Sequence, residues 1–124
     1  MSLLKIDNIM YRVSDLAAAT DFYVSCFGLS KAWEDGEQCM VGLTLRDSDS
    51  EIVLHANPEL PAFDYSFLVD DVKTLCSSFS RDGGEIETAP LRVRTGWYAV
   101  LQDEDGNRIP IIDLTDFGGR PRYD

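Results

Sequence analysis

The chain repeats itself at an offset of 56 (Val13 to Val69). Val13-Ser14-Asp15-Leu16 returns as Val69-Asp70-Asp71-Val72. In the same register Asn8 falls on Asp64, Tyr11 on Phe67, Tyr23 on Phe79 and Gly28 on Gly84. Each copy reads as a strand of β-branched and aromatic residues, a helix closed by glycine, then three further strands. A chain of 124 residues is one domain by length, so the repeat predicts two βαβββ modules within it. Module one covers about 4–57, module two about 62–115, and a flexible tail 116–124.

The periodicities place the elements. Residues 4–13 alternate, with Ile9, Tyr11 and Val13 on one face and Asn8, Met10 and Arg12 on the other, as a half-buried strand requires. Ser14 and Asp15 offer capping oxygens to a helix that Gly28 ends. Leu16, Ala19, Phe22, Tyr23 and Cys26 recur at helical spacing as its expected buried stripe. Strands are expected near 30–35, 38–46 and 50–56, then 63–69 after the proline-bounded linker Pro58-Glu59-Leu60-Pro61. Val72, Leu75, Cys76 and Phe79 form the second helical stripe, and Gly83-Gly84 end that helix. Strands near 85–90, 96–102 and 107–113 complete the second copy, with Asp103-Glu104-Asp105-Gly106-Asn107 as a tight acidic turn.

A net charge of −11 argues against nucleic acid and against an anionic membrane surface, both of which select clustered Lys and Arg. It favours a cationic small ligand, or simply an acidic solvated surface. No apolar run reaches the length of a membrane span and the N-terminus lacks a signal-peptide pattern, so a cytoplasmic location is expected. Cys26, Cys39 and Cys76 make no zinc-site spacing. Each is expected to be a small apolar residue in a helix or strand.

The motifs resemble those of the vicinal oxygen chelate superfamily, which includes glyoxalases, extradiol dioxygenases and bleomycin-resistance proteins. The residues that carry the resemblance are Val13-Ser14-Asp15-Leu16 with Phe22-Tyr23 and Gly28-Leu29, then Phe67-Leu68-Val69-Asp70-Asp71-Val72 with Gly83-Gly84. The last block is Asp103-Glu104-Asp105-Gly106-Asn107-Arg108-Ile109. The resemblance implies an α+β fold in which two tandem βαβββ modules form a cupped, barrel-like mixed sheet with the helices outside. Metal-dependent members hold a divalent ion with four cup residues, and the matching positions here are Asn8, Val53, Asp64 and Pro110. Asp64 is a competent ligand and Asn8 a feeble one, whereas Val and Pro side chains offer no donor. No resident metal, no cofactor and no catalytic residue is therefore expected.

Alternation names the cup lining that would meet a ligand: Asn8, Met10 and Arg12, then Glu51, Val53 and His55, then Asp64 and Ser66, then Pro110. Trp33 and Trp97 are candidate stacking surfaces near strand ends, along with Phe63 and Tyr98, each with core or dimer packing as the alternative role. Arg12 is expected to prefer an anionic group, or to pair internally with Asp64 or Glu51. The single histidine, His55, is expected to bond a carboxylate or to lie exposed. The resulting expectation is a metal-free small-molecule binding protein that sequesters a cationic or aromatic compound, such as an antibiotic, as a homodimer. One alternative is a metal-dependent lyase, isomerase or dioxygenase with a site relocated to His55, Glu51 and Asp64. Another is a ligand-free interaction or regulatory module.

Overall fold

A computed structural model describes residues 2–117. Of the tail expected over 116–124, residues 118–124 lie outside the described residues. The order is β1 (Lys5–Arg12), α1 (Leu16–Phe27), β2 (Ser30–Asp35), β3 (Met40–Thr44), β4 (Glu51–His55), β5 (Phe63–Leu68), α2 (Val72–Arg81), β6 (Glu85–Val93), β7 (Gly96–Gln102) and β8 (Arg108–Ile112). A 3-10 turn, Thr115–Phe117, comes after β8. The chain is α+β with the βαβββ order twice, as the repeat predicts. Its described residues divide into two compact units, Asp7–Tyr65 and the residues 66–117 joined by those before Asp7.

In the Asp7–Tyr65 unit, β1 and β4 pair in parallel, while β4 with β3 and β3 with β2 pair antiparallel. Asp15 caps α1 by accepting from the Ala18 N–H at 3.0 Å, and Gly28 ends the helix in the left-handed region. Leu16, Ala19 and Tyr23 pack against a core of Leu29, Val41, Leu43 and Leu54, which Val13 and Ile52 also join. Ile52 and Leu54 thus face the helix, which assigns Glu51, Val53 and His55 to the other face of the strand.

Part of the expected α1 stripe is not buried. Phe22 is 54% exposed, Cys26 is also exposed, and no residue of α1 is fully buried. Residues 16, 19 and 23 lie within roughly one-sixth of a turn of each other's line, whereas each step along the helix turns the side chain by about 100°. Phe22 is therefore carried off the face that Tyr23 buries. It makes edge contacts with Tyr23 and Phe27 instead, at 5.8 and 5.6 Å between ring centres. Cys39 also departs from its expected strand. It sits exposed in the turn before β3 with φ of 54° and its N–H bonded to the Gly36 carbonyl.

In the second unit, β5 and β8 pair in parallel and β7 pairs antiparallel with β8 and β6. Val72, Leu75 and Cys76 of α2 are buried against Val69, Ala99, Leu101 and Ile111, with Phe79 packed beside them. Burial of each such aliphatic side chain contributes about 1.5–3 kcal/mol. The outward side of α2 is polar (Lys73, Thr74, Ser77, Ser80), so here the predicted stripe and the observed one coincide.

Asp113, fully buried, ties the second unit together. One carboxylate oxygen accepts from the Val72 N–H at 2.8 Å, at the start of α2. The other accepts from the Trp97 N–H at 3.0 Å and from the Thr115 hydroxyl and N–H. A buried carboxylate is tolerated because these donors replace its water.

The acidic turn forms as expected. Asp103 accepts from the side-chain amide and the N–H of Asn107, and from the Asp105 N–H. The Asn107 amide, foremost, holds the Asp103 carboxyl below its ordinary range. A depressed folded value adds stability that is present above the ordinary aspartate value, about 3.9, and is lost as pH falls through the folded value. Asp103→Ala should therefore melt below the parent at neutral pH, and the gap should close on acidification; an unchanging gap in a pH series of thermal melts would contradict this. Burial pushes the Cys76 thiol up, which keeps it protonated and inert. A disulfide-exchange reagent should titrate two thiols, Cys26 and Cys39, in the folded protein and the third only after unfolding.

Candidate functional site

The face of the Asp7–Tyr65 sheet turned away from α1 gathers most of the expected site residues. Register sets Asn8 beside Glu51, Met10 beside Val53 and Arg12 beside His55. Glu51 is 2% exposed and His55 0%; Val53 and Asp64 are also buried. Burial of a carboxylate and an imidazole, Glu51 and His55, on the face opposite the helix is unusual for an outer sheet surface, where polar residues meet water.

Glu51 is held by Trp33. The indole N–H donates to the Glu51 carboxylate at 2.9 Å. Trp33 pairs with Gly42 across a register shift in β2, and Gly42 pairs with Val53 of β4. A Cβ on Gly42 would stand 2.0 Å from the indole nitrogen and 2.1 Å from the adjoining ring carbon. The ring therefore lies against the β3 backbone, in space that any other residue would fill. Glycine inside a strand signals such a close approach, and Gly42 is a site residue that strand alternation does not reveal. Asp7 is another. It is buried, and its carboxylate accepts from the Asn8 side-chain amide at 2.8 Å.

His55 meets no carboxylate and no solvent, contrary to both expectations. Its Nδ1 accepts from the Asn57 N–H at 3.1 Å, which leaves the proton on Nε2 to donate to the Pro61 carbonyl at 2.7 Å. Arg12, beside it, departs likewise: its guanidinium donates to the Leu60 carbonyl rather than to Asp64 or Glu51. The Arg12 N–H bonds the Ala62 carbonyl, and Val13 N–H the His55 carbonyl. The proline-bounded linker is thus fastened to the sheet by two side chains that the sequence places in a ligand site.

The donor set does not fit the divalent ion of the resemblance. Val53 and Pro110 side chains supply no lone pair, and both His55 nitrogens are engaged. Among the described residues, no group of three or more His, Cys, Asp or Glu side chains is placed to hold a metal. Asp64 accepts from the Tyr65 N–H at 2.9 Å. Phe63 is exposed between Tyr11 and Tyr65, with ring centres 5.7 and 6.2 Å away.

The remaining expected residues lie in the second unit. Pro110 and Ser66 are buried. Trp97 packs against the α2 core, with the Lys73 ammonium 4.0 Å and the Arg92 guanidinium 5.2 Å from its ring centre. Arg92 also pairs with Asp116 at 2.7 Å. These contacts give Trp97 a packing role on the helix side of the sheet.

His55→Ala leaves the linker carbonyl and the Asn57 N–H without partners and opens a cavity. Urea denaturation should show a loss of about 2–4 kcal/mol; a loss under about 0.5 kcal/mol, the surface-substitution range, would remove the anchoring role.

The sequence profile of the Glyoxalase/Bleomycin resistance protein/Dioxygenase superfamily matches residues 5–111. Over 130 aligned positions the chain is 25% identical to a lactoylglutathione lyase of Escherichia coli O157:H7, covering 93% of this chain and 96% of the relative. Among solved structures, methylmalonyl-CoA epimerase from Mycobacterium tuberculosis superposes with a TM-score of 0.66 at 18% identity, over 91% of this chain and 90% of that one. A superfamily member from Vibrio splendidus 12B01 does so with a TM-score of 0.58 at 18% identity, over 85% and 94%. At these identities the structural likeness speaks for the fold, and the profile, spanning most of the chain, for the family. The chain belongs to the glyoxalase/bleomycin resistance protein/dioxygenase superfamily.

Proposed function

We propose that this protein is a metal-independent small-molecule binding member of its superfamily, and that its ligand is cationic and aromatic. The observation that carries this reading is the fate of the donors at the expected ion positions. Val53 and Pro110 have none, and the one histidine gives both nitrogens to the linker. What the same sheet face retains is a buried carboxylate under an indole, Glu51 with Trp33; Asp64 of the neighbouring β5 is a second buried carboxylate. Carboxylate and indole together suit an organic cation, through charge and through the ring face. The net charge of −11 would draw such a ligand in.

The protein acts as a homodimer in the cytoplasm in this reading. The exposed Phe22 and Phe27 of α1, at 54% and 63% exposure, support an association surface. That no described helix is long and apolar enough to cross a membrane is compatible with this location.

The test combines elemental analysis of the purified protein, light scattering of the same sample and a fluorescence titration with cationic aromatic compounds. The expected outcome is sub-stoichiometric metal, a mass twice that of the chain, and saturable quenching whose amplitude, not affinity, falls in Trp33→Phe because the reporting indole is gone. One equivalent of tightly held divalent metal, with lyase or epimerase turnover that chelation abolishes, would overturn the reading in favour of an enzyme. Absence of quenching with every cation would favour a ligand-free module.

A further inference from the structure

The Trp33–Glu51 bond has a chemistry that narrows the class of ligand, on the basis of the binding function proposed above. The indole N–H is a neutral donor with no acceptor capacity. Its partner is a carboxylate 2% exposed, and a carboxylate bonds a cationic N–H more strongly than a neutral one. The ring is half-buried and lies against Gly42, in the space that a side chain there would fill. An incoming ammonium can therefore win the carboxylate from the indole, and the released ring can turn its face to the ligand's aromatic part.

We propose that Gly42, Trp33 and Glu51 form a displaceable latch. Trp33 occupies Glu51 in the free protein, and the ligand is a protonated primary or secondary amine whose N–H takes the place of the indole N–H. Gly42 and Trp33 are positioning residues in this scheme, and Glu51 is the group that meets the ligand. A quaternary ammonium offers charge without a donor, so it cannot make the exchange. The site then discriminates between cations by hydrogen bonding rather than by charge alone.

The chain has two tryptophans, so an ¹⁵N–¹H correlation spectrum carries two indole signals, and Trp97→Phe identifies that of Trp33. Benzylamine, protonated at neutral pH, and benzyltrimethylammonium serve as probes. Benzylamine should move the Trp33 indole signal with saturation and speed its exchange with water; the quaternary probe should leave it in place. Glu51→Gln should weaken benzylamine binding about tenfold or more, the loss of a charged hydrogen bond. Gly42→Ala should shift the Trp33 signal without any probe.

Trp33→Phe keeps the ring, lacks the competing N–H and should bind benzylamine more tightly than the parent; this variant decides the matter even where Gly42→Ala does not fold. Equal displacement by both probes overturns the latch, as does benzylamine binding that moves backbone signals but not the Trp33 indole. Silence of every signal with both probes instead overturns the binding function, and the latch falls with it.

Discussion

A buried imidazole must find two partners inside the protein, and for His55 both come from the segment directly after its own strand. That requirement fixes the course of residues 56–62. Asn57 N–H and Pro61 carbonyl are drawn to the ring, Leu60 carbonyl to Arg12, and Ala62 carbonyl to the Arg12 backbone. A loop with two prolines, rich in freedom as a peptide, becomes part of the sheet's hydrogen-bonded frame. The second unit solves the corresponding problem after its last strand with a different group. There Asp113 gathers the start of α2, the start of β7 and the 3-10 turn onto one carboxylate.

The commitment of His55 to this frame shapes the chemistry left on the sheet. Imidazole is the residue type best suited to a first-row metal, and here it is spent on architecture. The groups that remain for the proposed recognition are the Glu51 carboxylate and the Trp33 indole. Their arrangement depends on an absence, since the Gly42 position must be empty for Trp33 to cross β3 and reach Glu51. The binding proposed for this face thus depends on one residue whose ring nitrogens are both bonded to the chain and on another with no side chain at all.

The two helices show how far a repeat can be read. In both, apolar residues recur at helical spacing, and the sequence pattern alone identifies each as amphipathic. For α2 the stripe is right residue by residue, because its outward positions are polar and leave no choice of face. For α1 the outward positions include Phe22, Val24 and Phe27, so periodicity admits more than one stripe and the packing of Leu16, Ala19 and Tyr23 decides between them. On the strands, strict alternation makes the shared face of Asn8, Met10 and Arg12 with Glu51, Val53 and His55 legible from the sequence. The direction in which the side chains at the strand end turn is not legible there, because alternation fixes the face of a residue and not the partner that its long or terminal side chain selects.

The sequence by itself determined the element order, the doubled βαβββ module, the face assignments along β1 and β4, the acidic turn at Asp103 and the lack of donors at Val53 and Pro110. Those properties are local or periodic, and nearest-neighbour stereochemistry encodes them within a few residues. Only the tertiary structure decided that His55 and Arg12 serve the linker, that Cys39 leaves its strand, that Asp113 collects three separate segments and that Trp33 lies on Gly42 over Glu51. Most of these join groups distant in the chain, and the choice among possible partners is made by which buried polar atom must be satisfied and which space is empty.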